Sequence, residues 1–513
     1  MALYLGIDIG TSGSRALLID ERGAVKASAG GGHTCQAPKP LWSEQDPAEW
    51  WAAVRKAVPE ALKKAGARPA EIKGIGLSGQ MHGLTLLDAK DQVLRPAILW
   101  NDQRTAEECA EIVSRAGGLP ELLRMVSNPA LTGFTAPKIL WVRRHEPQLY
   151  ERARKALLPK DYIRLLLTGE YATEVSDASG TLLLDIRKRA WSNELLGKLE
   201  LDAGLLPKVY ESPEVSGKVT EAASQALGGA VLPGTPVVGG GGDQAAGGVG
   251  AGIVQSGIAS VSLGTSGVVF LHADTLKTDP RGRLHAFCHA VPGKWHMMGV
   301  CLASGGSFQW FRNALGQPEV EAAKMSGADP YDLLVAQAAA EPAGSRGVCF
   351  LPYLTGERTP HADPYATGTF VGITPSTTKG ALARAIVEGV CYSLRDSFEI
   401  FKALGLPVGE VRVTGGGAKN PFWRQTLADV FGQGTRGLAA AEGPAYGVAL
   451  LAAVGAGAFK SVEEACRATV QTCDPLEPKP PHVKVYNAFH PLWQNLYRSL
   501  KGDYEKLSKA VHA

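Results

Sequence analysis

One stretch constrains the fold more than any other: Val237-Val238-Gly239-Gly240-Gly241-Gly242-Asp243-Gln244. The apolar run from Pro236 to Val238 follows a Pro233-Gly234 turn and reads as a short buried strand. Four glycines come next; without a Cβ they accept positive φ and let a ligand approach the backbone. Asp243 then stands at the mouth of the strand, ahead of a small-residue helix opened by Gln244, Ala245 and Ala246. A carboxylate delivered by a strand end into a glycine-lined gap is well placed to take a proton from a substrate. The same residue would serve equally as a helix cap, so the rest of the chain has to decide.

A chain of 513 residues is long enough for two or three domains with large cores. Its formal charge of +3 comes without a basic block, which argues against a nucleic-acid partner. Glycine accounts for 61 residues, above the usual share of roughly 7%, and clusters in turns suited to hugging a ligand. Eight cysteines include no C-x-x-C pair, so neither a zinc site nor a disulfide framework is indicated and a reduced, cytoplasmic setting is expected. Asp8 inside the first apolar run argues against a signal peptide. The small-apolar stretch Gly447 to Phe459 is too short and too rich in Gly and Ala to span a bilayer, so no membrane partner is expected.

In the first half, Leu3 to Gly10 and Arg15 to Asp20 form a hairpin around Thr11-Ser12-Gly13-Ser14. Such a turn aims backbone N–H groups and hydroxyls at one point, which suits phosphate oxygens. Asp8 on that apolar strand is costly to bury unpaired. A magnesium ion held through water gives it a partner; an outward-facing Asp on an exposed sheet face is the plainer alternative. Asp46-Pro47-Ala48-Glu49 starts a helix that Pro59 is expected to kink or split. The strand Ile72 to Leu77 empties into Ser78-Gly79-Gln80-Met81-His82-Gly83, placing an amide and an imidazole at a strand end where open α/β sheets bind ligands. Ala97 to Trp100 exits into Asn101-Asp102-Gln103-Arg104, polar groups beside an indole, as in polyol and sugar sites. Residues 105–230 read as a mostly helical insertion, and Pro159-Lys160-Asp161-Tyr162 within it reads as a capping turn with no chemistry.

The second half echoes the first. Leu263-Gly264-Thr265-Ser266-Gly267 repeats the Gly-Thr-Ser-Gly turn of Ile9 to Gly13 between two strands, half a chain later. The echo points to two related domains, each lending a hydroxyl-rich hairpin to a shared cleft. Ser304-Gly305-Gly306-Ser307 opens a helix able to receive an anion. Val411 to Thr414 enters Gly415-Gly416-Gly417, a turn flat enough to lie against a nucleotide. Gly-rich turns and strand-end acids together are a pattern for phosphoryl transfer, although neither a G-x-x-x-x-G-K-[ST] loop nor a kinase H-R-D motif occurs.

The order Asp8-x-Gly10-Thr11-Ser12, Gln80-Met81-His82-Gly83, Trp100-Asn101-Asp102-x-Arg104, Gly241-Gly242-Asp243, Gly264-Thr265-Ser266 and Gly415-Gly416-Gly417 resembles the FGGY carbohydrate kinases, along essentially the whole chain. Gly133-x-Thr135-x-x-Lys138-Ile139-x-Trp141 resembles that family's first signature, and Gly368 to Glu388 its second, with Ala381 where a polar residue is usual. The resemblance implies an α/β protein of two actin-like (ribonuclease-H-like) domains flanking a catalytic cleft, with residues 1–252 as the sugar-binding domain and 253–513 as the nucleotide-binding domain. It implies ATP-dependent phosphorylation of a ketopentose, foremost D-xylulose to D-xylulose 5-phosphate. The alternatives are other acceptors (gluconate, ribulose, a deoxy sugar) or a non-catalytic actin-like nucleotide-binding protein. By the same resemblance Asp243 is the general base, and Asp8 organises Mg²⁺ through water with Asp243 as a second candidate ligand. Gln80, Met81, His82, Trp100, Asn101, Arg104 and Gln244 would contact the sugar. Thr11 and Ser12 would hold phosphates, and Gly264, Thr265, Ser266, Gly305, Gln309, Gly415, Gly416 and Asn420 would line ATP. A homodimer is left open.

Overall fold

The computed structural model describes residues 1–439 and 442–511. The chain begins with three antiparallel strands, β1 (Leu3–Ile9), β2 (Gly13–Asp20) and β3 (Val25–Gly32). Helix α1 (Pro47–Ala65) follows, capped by Asp46 accepting from Ala48 N and closed by Gly66 in the left-handed conformation. Pro59 does not split it: Val54, Ala57, Val58, Ala61 and Leu62 on either side of the proline are all buried, and that packing outweighs one lost backbone bond. Strand β4 (Ile72–Gly79) then runs parallel to β1, in a register that sets Asp8 beside Ser78.

Between β4 and the glycine run lies a largely helical insertion, which includes α2 (Pro159–Thr168). The chain returns through β5 (Val215–Lys218) and β6 (Pro236–Val238), then β7 (Gly241–Gly242), which pairs parallel with the end of β4. Helix α3 (Asp243–Gly250) starts at Asp243 itself. The first sheet is ordered β5-β6-β4-β1-β2-β3, with β7 also beside β4.

The second half repeats this plan. Strands β8 (Gly257–Leu263), β9 (Gly267–Ala273), β10 (His285–Cys288) and β11 (Trp295–Cys301) pair antiparallel. Helices α4 (Gly305–Leu315) and α5 (Lys379–Ala403) follow. Strands β12 (Val408–Thr414) and β13 (Thr435–Leu438) then add in parallel to β8. With β14 (Thr472–Leu476) the order is β10-β11-β9-β8-β12-β13-β14. In both sheets an antiparallel meander is extended by parallel strands on the far side of its first strand. That makes the molecule a duplicated, actin-like α/β protein.

Helix α6 (Gly443–Gly455), from the second half, crosses back to lie on the first sheet. A Cβ on Gly6 or Gly76 would overlap the carbonyl oxygens of Ala445 or Val448, and one on Gly447 would overlap that of Ala246 in α3. Only glycine permits backbone contact this close. The chain ends in α7 (Pro480–Val511), which packs Tyr486, Trp493 and Tyr497 into the second core. Among the described residues no helix is long and apolar enough to cross a membrane.

Candidate active site

Parallel pairing brings the two acids together. Asp8 on β1 and Gly241 on β7 both face Ser78 of β4 in register, so the Asp243 backbone emerges one strand away from the Asp8 carboxylate. Burial pushes the Asp243 carboxyl up to about 7, and the neighbouring Asp8 charge adds to this. Burial likewise raises Asp8 to about 6, against the pull of Ser78 and Arg15. Asp8 Oδ1 is buried without a hydrogen-bond partner. An orphaned carboxylate oxygen beside a second carboxylate suits a hard, oxygen-seeking cation. Among the described residues no group of three or more His, Cys, Asp or Glu side chains is gathered to hold a metal. An Mg²⁺ here would therefore keep waters and phosphate oxygens as its other ligands.

The side expected to take the sugar is built around His82, which has φ +70 and is buried. Its Nδ1 lies 2.6 Å from Gly180 O. A carbonyl only accepts, so Nδ1 carries the proton and Nε2 is left as an acceptor. Burial holds the imidazole well below its usual pKa, and the positive charge of Lys138 and Arg358 reinforces the neutral form. Phe134 packs on the ring with centroids 4.8 Å apart. The His82 carbonyl accepts from Thr135 Oγ1 (3.0 Å) and Lys138 Nζ (2.8 Å). The signature Gly133-x-Thr135-x-x-Lys138 thus pins the histidine loop from behind. Met81 packs against Gly242 and Gly180, so that it bridges His82 and the residue before Asp243.

Trp100 ties this side to the phosphate turn, its Nε1 donating to Thr11 Oγ1 at 3.0 Å. That leaves the Thr11 proton free to donate. The expected sugar contacts divide at this point. Gln80 is buried and donates to Gln45 Oε1 (2.8 Å), and Gln45 in turn donates to Thr11 O, so Gln80 supports the floor of the site. Arg104 is not brought to the pocket. Its guanidinium is 1% exposed, paired with Asp102 (2.6 Å) and Glu44 (2.7 Å), and lies 3.6 Å over the Trp42 ring. Asn101 is exposed on the outside of the same turn. Gln244 stays beside Asp243, its Nε2 3.4 Å from Asp243 Oδ1.

Two contributors from the second half have no counterpart among the sequence expectations. Arg358 is mostly buried with no side-chain partner among the described residues, and its charge acts on His82, Lys138 and His285 together. His285 stacks on Phe287 and packs tilted against Phe134 beside His82. The Gly133-to-Lys138 signature marks one side of this cluster in the sequence; nothing local to Arg358 marks the other.

The second half gathers its glycine turns at one place. Gly264 N bonds Ser266 O (3.1 Å), Ser304 N and Gly306 N bond Thr265 O (2.9 and 3.0 Å), and Gly305 N bonds Gly264 O (2.9 Å). Gly415, at φ +85, and Gly417 lie flat on Leu263, where a Cβ would come within 2.9 Å of its atoms. Three turns expected to line the nucleotide, at 264–266, 304–306 and 415–417, therefore meet at the end of β8. Ser12, Gln309, Gly415 and Gly416 are exposed toward solvent, while Asn420 caps the next helix by accepting from Phe422 N (2.9 Å).

A duplicated actin-like fold with paired strand-end acids in one half and stacked glycine turns in the other defines a two-domain phosphotransferase. Family comparison specifies which: the N-terminal domain model of the FGGY carbohydrate kinases matches residues 3–250 and the C-terminal domain model residues 259–456. This chain belongs to the FGGY family of carbohydrate kinases. It is 43% identical over 465 residues to the xylulose kinase of Escherichia coli, covering 90% of this chain and 92% of that one. The crystal structure of xylulose kinase from Rhodospirillum rubrum superposes with a TM-score of 0.89 at 31% identity, covering 98% and 100%. Gluconate kinase from Lactobacillus acidophilus superposes at 0.91 with 27% identity, covering 99% of each chain.

Proposed function

We propose that this protein transfers the γ-phosphoryl group of ATP to the terminal hydroxyl of D-xylulose, giving D-xylulose 5-phosphate, with Asp243 as general base. The observation that carries the reading is the convergence of Asp8 and Asp243 at the ends of two strands that both pair with β4, in a molecule whose second half stacks three glycine turns at the end of β8. The sugar lies on Met81 and neutral His82, whose Nε2 accepts from a sugar hydroxyl. Asp243 takes the proton of the attacking hydroxyl as the new P–O bond forms and the β–γ bridge breaks. A carboxyl near pH 7 is matched to that task, strong enough as a base yet ionised in part at neutral pH. Thr11 and Ser12 hold phosphate oxygens from one side and the glycine turns hold the nucleotide from the other, so that positioning supplies most of the acceleration. Bound through Asp8 and water, Mg²⁺ would offset the charge on the triphosphate.

One observation favours a second acceptor class. Arg358 presents near His82 a guanidinium with no side-chain partner among the described residues, and a guanidinium suits a carboxylate as well as a hydroxyl; gluconate carries one. A phosphotransfer assay over D-xylulose, D-ribulose, D-gluconate and glycerol decides between them. We expect D-xylulose to give the highest kcat/KM by about tenfold or more over each of the others. A higher value for gluconate would transfer the assignment to that acceptor, and ATP turnover indifferent to every sugar would remove the kinase reading.

A further inference from the structure

The Pro159-to-Tyr162 turn, which shows no chemistry in the sequence, opens a helix buried along nearly its whole length. Lys160, Asp161 and Arg164 of α2 are fully buried, together with Glu174 and Asp177 from the turn that follows. Lys160 Nζ lies 2.6 Å from Asp161, 3.2 Å from Asp177 and 3.7 Å from Glu174. Burial, with Asp161 and Glu174 adding to it, pushes the Asp177 carboxyl well above its usual range against the pull of Lys160. Stability is a poor reason for such a cluster, since packed apolar side chains of similar volume hold a core as well or better.

Where the cluster ends is more telling. Arg164 donates to Val238 O (2.7 Å) and Gly239 O (2.6 Å). Glu174 accepts from Ser176 N (2.7 Å), Ser176 Oγ (3.0 Å) and Ser212 Oγ (3.0 Å). Ser176 Oγ in turn accepts from Gly242 N at 3.1 Å. The carbonyls of Ser212 and Glu214 accept from Gly240 N and Gly239 N, both at 2.8 Å. Two carbonyls and three amides of the segment Val238 to Gly242 are therefore held by this cluster and by the 212–214 loop that adjoins it. The glycines have no side chains with which to anchor themselves and the most conformational freedom to lose. The next residue is Asp243.

We propose that Arg164 and the Glu174–Ser176 pair are positioning residues, which lock the glycine run so that the Asp243 carboxylate is held where proton transfer requires it. The proposal rests on the reading of Asp243 as the base. Misplacing a reacting group by about 1 Å costs on the order of a hundredfold in rate.

The test is a double-mutant cycle. Ser176→Ala removes the hydrogen bond from Gly242 N and the one that Ser176 Oγ donates to Glu174, and leaves every charge in place. We expect kcat to fall by about tenfold, with KM for sugar and for ATP within about threefold of wild type and Tm lowered by a few degrees. In an Asp243→Asn background the same substitution is expected to change residual turnover by less than about twofold, because the group it positions is gone. Ser176→Thr, which keeps the hydroxyl, should restore most of the activity. Arg164→Lys keeps the charge but cannot serve two carbonyls in a fixed fork; it is read in the same way and decides the matter should Ser176→Ala not fold. A loss of kcat under about fivefold, or equal fractional losses in both backgrounds, overturns the positioning role. Should Asp243→Asn alone leave turnover intact, the assignment of the base fails, and the positioning role with it.

Discussion

At the scale of single residues, the site turns on two like charges that burial has made reluctant to ionise. Asp243 is raised to about 7 and Asp8 to about 6, with Asp8 contributing to the shift of its neighbour. A general base works only when deprotonated, so kcat/KM of the free enzyme should rise with pH on an acid limb near pH 7. Removing the Asp8 charge relieves Asp243, lowers its pKa and moves that limb to lower pH, even as Asp8→Asn reduces the rate itself. Profiles of kcat/KM from pH 5 to 9 for both proteins check this; a limb that stays in place would mean that the two carboxylates do not feel each other. Residue identity alone did not reveal every role here. Trp100 to Arg104 reads as a sugar-binding cluster because it mixes an indole with polar groups. Trp42 and Glu44, about sixty residues earlier in the chain, consume the guanidinium of Arg104, and no local pattern announces that. Lys138 is visible only as part of a signature. Its work of holding the His82 carbonyl depends on a loop 56 residues away.

At the scale of elements, local features were the legible ones. The two hairpins built on β1–β2 and β8–β9 follow from strand–turn–strand patterns a few residues long, and α1 follows from its Asp46-Pro47-Ala48-Glu49 start. Pro59 inside α1 shows the limit, since tertiary burial overrode a local breaker. The contact between α3 and α6 is a second case that only the assembled molecule reveals. Gly447 reads as one more small residue in an apolar helix, yet its missing side chain lets α6 touch the Ala246 carbonyl. Gly447→Ala should force the helices apart, destabilise the protein by about 1–3 kcal/mol or more as overpacking does, and lower kcat because α3 carries Asp243 at its first turn. Gly197→Ala is the matched control: that glycine lies in a helix, without positive φ, and a Cβ there meets nothing within 4 Å. It should be neutral or slightly stabilising. Thermal melts of the two variants test the difference; equal Tm values would contradict the close approach of α3 and α6.

At the scale of the molecule, each half of the chain supplies what the other lacks. The first domain carries the acids, His82 and the Thr11 turn; the second carries the glycine turns, His285 and Arg358. Helix α6 crosses between them, and Arg15 of β2 pairs with Glu442 just before it. Phe287, Met298 and Val300 share one apolar cluster with Met81 and Phe134, so the floor of the cleft is continuous between the domains. Closure of the cleft around bound sugar and ATP would exclude water, which otherwise competes as the phosphoryl acceptor. The most direct test is a crystal structure of Asp243→Asn with D-xylulose, Mg²⁺ and a non-hydrolysable ATP analogue. It should place the residue-243 side chain within about 3.2 Å of the sugar's terminal hydroxyl, with the γ-phosphoryl group on the far side of that oxygen. A sugar bound with that hydroxyl out of reach of residue 243, or a triphosphate lying away from the glycine turns, would contradict the account.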